Sequence, residues 1–144
     1  MPVRPLDTVN STIEIHDSRV AEISKRDNTV IVHFLPAYLH KSEGLPAIDS
    51  GTCWVQEARL IFTEASINGN FPDWPCDIMG GELLVGGERY NNLIPVPLEA
   101  AKLTELRLIC DSMHTVTIAG RGVRLELIGE PRYVEEFKQQ IPGV

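Results

Sequence analysis

Apolar and polar residues alternate along most of the chain, which is typical of strands that bury one face. Residues 12–17 alternate at period two, and the phase of the apolar positions changes after residues 18–19, which predicts a β-bulge or bend there. The polar segment 25–28 then separates this strand from the β-branched run 29–35, which Pro36 ends. These features predict an N-terminal β-hairpin.

Further strand patterns follow towards the C-terminus. Residues 52–63 form the longest apolar strand pattern, whereas residues 65–103 contain several prolines and glycine pairs and leave the topology open. Three alternating segments then predict an antiparallel meander with one apolar face: residues 106–110, 116–118 and 123–127.

The last part of the chain has helical spacing. Tyr133, Val134, Phe137 and Ile141 recur at intervals of three and four residues, and Pro131 suits the first turn of a helix. We therefore expect a mainly β domain, an antiparallel β-sandwich or partly open barrel, with one C-terminal α-helix packed on the sheet. Residues 1–10 are interpreted as a flexible N-terminal arm, and residues 11–144 as a single β-rich domain.

Composition narrows the classes of partner. The chain is 43% hydrophobic and 23% charged, with a net charge of −7 and no basic run. Nucleic-acid binding relies on lysine and arginine at phosphates, so we expect no nucleic-acid partner and favour a basic protein. No segment has the apolar length of a signal peptide core or a membrane span, so we expect no membrane association. The three widely spaced cysteines indicate reduced thiols and a cytoplasmic location.

The histidines provide no recognisable metal motif. His16, His33, His40 and His114 occur in no HxH, HExxH or CxxC arrangement. We therefore predict no metal and no cofactor, and leave open whether any of the four binds an ion.

The sequence His16-Asp17-Ser18 resembles part of a catalytic triad, but adjacent residues of a strand point to opposite faces. We expect Asp17 and Ser18 to hydrogen-bond to the backbone at the predicted bend instead. His16 and Asp17 are kept as candidate interaction residues.

The proline-held segment 73–77 is the most unusual local sequence. Asp73, Trp74 and Cys76 within it, together with Trp54, are candidates for lining a pocket, since binding residues concentrate in loops. Cys76 would serve as a nucleophile only if a histidine such as His114 approached it, and the flanking acids oppose thiolate formation.

Two terminal segments carry a family resemblance. The segments IHDSRV (residues 15–20) and VRLELIGEPRYVEEF (residues 123–137) resemble small bacterial β-proteins, some of which are similar to Imm50-like immunity proteins of toxin systems. The resemblance implies a compact β domain that binds another molecule, and it brings no catalytic residues. It does not extend to residues 44–103.

Three functional hypotheses result. The first is a non-enzymatic interaction protein, immunity-like, that binds a basic protein partner. The second is a small-molecule-binding protein or enzyme with a pocket near Trp54, Trp74 and Cys76. The third is a structural homodimer formed by pairing of edge strands.

Overall fold

The structure, a computed structural model, describes residues 10–138, except for the side chain of Ser112. It is mainly β, as predicted. The strands are β1 (Asn10–Glu14), β2 (Arg19–Arg26), β3 (Thr29–Ser42), β4 (Gly51–Thr63), β5 (Ser66–Gly69), β6 (Cys76–Val85), β7 (Glu88–Asn91), β8 (Leu93–Val96), β9 (Glu99–Ala100), β10 (Thr104–Cys110), β11 (Thr115–Gly120) and β12 (Gly122–Phe137). Two 3₁₀ turns, Ile15–Asp17 and Asp111–Met113, complete the order.

All strand pairs are antiparallel and belong to one sheet. Its main path runs β5-β11-β10-β6-β2-β3-β4-β12-β9, while β1 pairs with β3 and β8, and β7 pairs with β6. The two end strands of this path, β5 and β9, do not pair with each other within the described residues, so the sheet is not closed. A short β2–β6 ladder joins the two halves of this path, β5-β11-β10-β6 and β2-β3-β4-β12-β9. In this ladder Arg19 lies opposite Asp77, and Val20 lies opposite Cys76.

The two halves of the sheet share one apolar core. Phe34 and Leu60 from one half belong to the same buried cluster as Leu83, Leu106 and Ile118 from the other. Alternation at period two places these side chains on one face of their strands, which explains why the apolar pattern was readable in the sequence. Among residues 10–138, no helix has the length and apolarity needed to cross a membrane.

The N-terminal hairpin is confirmed, with two differences in detail. The predicted bend is a 3₁₀ turn at Ile15–Asp17, followed by a register shift between Val20 and Glu22. Pro36 does not end β3: a second register shift, between Phe34 and Ala37, lets the strand continue to Ser42. Proline is tolerated here because the pairing is irregular at this position, so the ladder requires no N–H donor from residue 36.

The predicted C-terminal helix is wrong. Residues 131–137 are the end of β12, and residues 139–141 lie outside the described residues. The register of β12 against β4 shifts between Ile128 and Arg132 and again between Tyr133 and Glu135. These irregularities change which face the apolar residues occupy, and so the spacing imitates a helix.

The third strand of the predicted meander is also misplaced. β10 and β11 do pair, but β12 pairs with β4 and β9 rather than with β11. Gly120 and Gly122 lie where the chain passes from β11 to β12 close to Thr63 of β4, because a Cβ at either glycine would lie within 3.0 Å of an atom of Thr63. The glycines therefore allow close packing of chain segments instead of forming a tight hairpin.

One smaller prediction concerns the first ten residues. The predicted arm, residues 1–10, lies outside the described residues apart from Asn10, which begins β1.

Candidate functional site

β12 has a long edge without a strand partner. β9 covers this edge only at Val123 and Arg124, and the N–H of Leu125 donates to the carbonyl of Leu98. From Glu126 to Phe137 the edge opposite β4 makes no backbone hydrogen bond within the described part of the chain. Most side chains here are exposed, Tyr133 at 52% and Val134 at 43%. An unpaired strand edge is a template for another extended segment.

Three carboxylates mark this edge, on Glu130, Glu135 and Glu136, and each side chain is exposed. Among residues 10–138, none of the three has a lysine or arginine within ion-pair distance, whereas Glu64, Glu82 and Glu126 elsewhere each pair with arginine. With Arg132 as the one cation of segment 130–136, the edge has an excess of negative charge. We call residues 130–136 of β12 the acidic edge.

Tyr38 anchors one of these carboxylates to the sheet. Its Oη donates a hydrogen bond to Oε1 of Glu135 over 2.9 Å. Burial, followed by the contacts with Cys53 and Glu135, raises the pKa of Tyr38, so the phenol stays a donor at neutral pH. Glu135 is thereby held in place as a hydrogen-bond acceptor beside the free edge.

Trp54 is the predicted site residue that the fold places beside the acidic edge. It lies opposite Tyr133 in the β4–β12 ladder, and the two rings meet edge to face with centroids 5.4 Å apart. Nζ of Lys41 lies 4.9 Å from the centre of the Trp54 ring. This geometry is a cation–π contact between Lys41 and Trp54.

Trp74 and Cys76 belong to a different region. Trp74 packs against the core from the segment before β6, and Asp73 beside it is exposed. Cys76, buried at the start of β6, donates a thiol hydrogen bond to Oδ1 of Asp111 over 3.0 Å, not to His114. Burial, and next the hydrogen bond to Asp111, raise the pKa of Cys76 to about 12. A thiol with so high a pKa is a poor nucleophile.

We therefore expect no reactive thiol in the native protein. All three cysteines are free and buried. Iodoacetamide at pH 8 should modify none of them within a time that fully modifies the urea-unfolded chain, as mass spectrometry of the intact protein would record. Rapid native modification of Cys76 would instead revive the nucleophile interpretation.

His16, Asp17 and Ser18 occupy the 3₁₀ turn and its end. The turn, unlike the strand we expected, brings His16 Nε2 within 3.2 Å of Asp17 Oδ2. Ser18 instead donates from Oγ to the carbonyl of Glu14 and accepts from the N–H of Tyr38. The backbone role predicted for Ser18 is confirmed, and its hydroxyl is not in series with the other two side chains.

Glu14 stands next to this turn at the end of β1. Burial first, and the nearby Asp17 carboxylate second, raise the pKa of Glu14 above its usual value. Behind Glu14 lies His40, which is fully buried and has no hydrogen-bond partner at either ring nitrogen. Glu14 could not be singled out from the sequence, because its contact with His40 depends on the pairing of β1 with β3.

A cavity of about 600 Å³ lies away from all of the predicted site residues. It opens between β8, the start of β1 and the loop after β3, and its lining includes Leu45, Ile48, Tyr90 and Leu93. None of its lining residues is charged. Trp54, Trp74 and Cys76 do not contribute to it.

Comparison of the chain with family models, with curated proteins and with solved structures gives no match.

Proposed function

We propose that this chain is a non-enzymatic interaction protein that binds an extended, basic segment of a partner protein along the acidic edge of β12. The observation that carries the proposal is the exposed stretch of β12 from Glu126 to Phe137. Within residues 10–138 its outer edge has no strand partner, and no lysine or arginine forms an ion pair with its three carboxylates at 130, 135 and 136. Strand addition supplies main-chain hydrogen bonds, and the side chains on either face select the partner.

The net charge of the chain favours a partner of positive charge. The chain has a net charge of −7, which attracts basic proteins over distance and repels acidic ones. Tyr133 and Val134 provide exposed apolar surface between the carboxylates, the combination that interfaces favour at their centre. An Imm50-like immunity role remains part of this proposal. So does a cytoplasmic location, which suits three free thiols. We also propose that the unclosed sheet is a partly open barrel.

The test uses a fluorescent peptide of alternating lysine and valine, with an alternating glutamate–valine peptide as the control. Anisotropy should show saturable binding of the basic peptide at low salt and progressive loss of affinity as salt rises. Equal affinity for both peptides, or an affinity that salt leaves unchanged, would contradict a charge-selected edge.

A second candidate function is binding of a small uncharged molecule in the cavity beside β8. Its volume of about 600 Å³ lies in the range of ligand pockets, and its lining is uncharged in a chain that is 23% charged. The two functions are separable, because binding of an uncharged ligand in this cavity would depend little on salt.

Self-pairing of β12 edges into a homodimer, the third hypothesis, would appear as twice the monomer mass in light scattering.

A further inference from the structure

Three potential metal ligands converge at the start of the domain. Glu14 ends β1, and His16 and Asp17 belong to the 3₁₀ turn that follows. One ligand atom from each lies within 4.8 Å of the other two. The turn is the cause, since a continuing strand would have sent His16 and Asp17 to opposite faces.

These three side chains have no other strong partner. Asp17 pairs with His16, and within residues 10–138 no lysine or arginine lies within ion-pair distance of Glu14 or Asp17. The carboxylates of Glu14 and Asp17 lie close together and repel each other, and a cation bound between them would relieve that repulsion.

His40 provides an independent observation at the same place. Its side chain is 0% exposed, and neither ring nitrogen has a hydrogen-bond partner among residues 10–138. Nδ1 lies 3.8 Å from Oε1 of Glu14. Phe137 packs against the ring with centroids 4.4 Å apart, so the imidazole is held facing Glu14. A buried polar group without a partner lowers the stability of a protein, and a purely structural position would avoid this loss with leucine.

We propose that Glu14, His16 and Asp17 bind a divalent transition-metal ion of the Zn²⁺ or Mn²⁺ type, and that His40 positions the Glu14 carboxylate. One imidazole and two carboxylates suit such ions. Ca²⁺ needs six to eight oxygen ligands, and Mg²⁺ favours oxygen over imidazole, so both fit this set poorly. Ligating carboxylates are commonly oriented by a second hydrogen-bonding group, the part we assign to His40. His16 and Asp17 are exposed, which leaves the ion open to solvent or to a partner's ligand.

Calorimetric titration of the untagged full chain with ZnCl₂, MnCl₂, MgCl₂ and CaCl₂ tests the site. We expect one saturable site for Zn²⁺ or Mn²⁺ and much weaker binding of the other two ions. His16→Ala and Asp17→Asn should each lower the affinity at least about tenfold. His33→Ala is the matched control, because His33 also contacts a carboxylate, Glu57, but lies outside the cluster.

The His40→Leu variant separates positioning from a structural role. It should bind the ion about tenfold more weakly and yet melt at a higher temperature without metal, because an unpartnered buried polar group is gone. The visible absorption spectrum of the Co²⁺-loaded protein should change in this variant. Equal metal affinity in wild type, His16→Ala and His33→Ala, or no saturable binding in wild type, would overturn the proposal.

Discussion

Reversing the charge of the acidic edge, with Glu130→Lys, Glu135→Lys and Glu136→Lys together, should weaken binding of the lysine–valine peptide at least about tenfold. Each exposed ion pair contributes about 0.2–1 kcal/mol, and reversal replaces three attractions by three repulsions. About 1.4 kcal/mol corresponds to a tenfold change in affinity, and the combined change of about 1–6 kcal/mol reaches that threshold over most of its range. Fluorescence anisotropy at low salt measures it.

The matched control reverses three exposed carboxylates elsewhere, with Glu22→Lys, Asp73→Lys and Glu88→Lys. Both triple variants change the net charge by the same amount, so long-range attraction falls equally in each. The difference between them therefore measures the local contribution of the edge. If the two variants lose the same affinity, net charge alone attracts the peptide and the acidic edge is not its binding site.

The second large effect concerns stability. Phe34→Ala should lower the free energy of unfolding by about 3–5 kcal/mol, since the ring is 0% exposed and the space it leaves cannot be refilled. Its strand β3 pairs with both β2 and β4, and Val20 and Ala58 lie opposite Phe34 in those ladders. Urea unfolding followed by tryptophan fluorescence gives the value.

Phe71→Ala is the matched control, because that ring is 51% exposed and lies between β5 and β6. It should change the free energy of unfolding by less than about 1 kcal/mol. A loss below about 1 kcal/mol for Phe34→Ala would mean that the β2–β3–β4 core is not packed as described.

Local alternation predicted most strands, because burial of one face leaves a period of two that survives in the sequence. The hairpin of β2 and β3 and the pairing of β10 with β11 needed only short-range information of this kind. β12 was harder for two physical reasons. Its bulges break the period near Pro131, and its partner β4 lies far away in the chain.

The candidate site depended on the same long-range pairings. Trp54 was identified from its residue type, but its place beside the acidic edge follows from the register of β4 against β12. His16 and Asp17 were noted, yet Glu14 and His40 join them only through the β1–β3 ladder and the 3₁₀ turn. Glu135 and Glu136 lie in the segment with helical spacing, so their position on a strand edge could not be predicted from the sequence.

Hydrogen exchange of β12 with and without the lysine–valine peptide tests the central claim most directly. In the free protein, amides of segment 130–137 that point away from β4 should exchange fast, since no backbone acceptor in the described part of the chain pairs with them. Bound peptide should slow exchange in this segment and leave β7 unchanged. Saturable peptide binding without any protection of β12, or with protection only elsewhere, would contradict strand addition at the acidic edge.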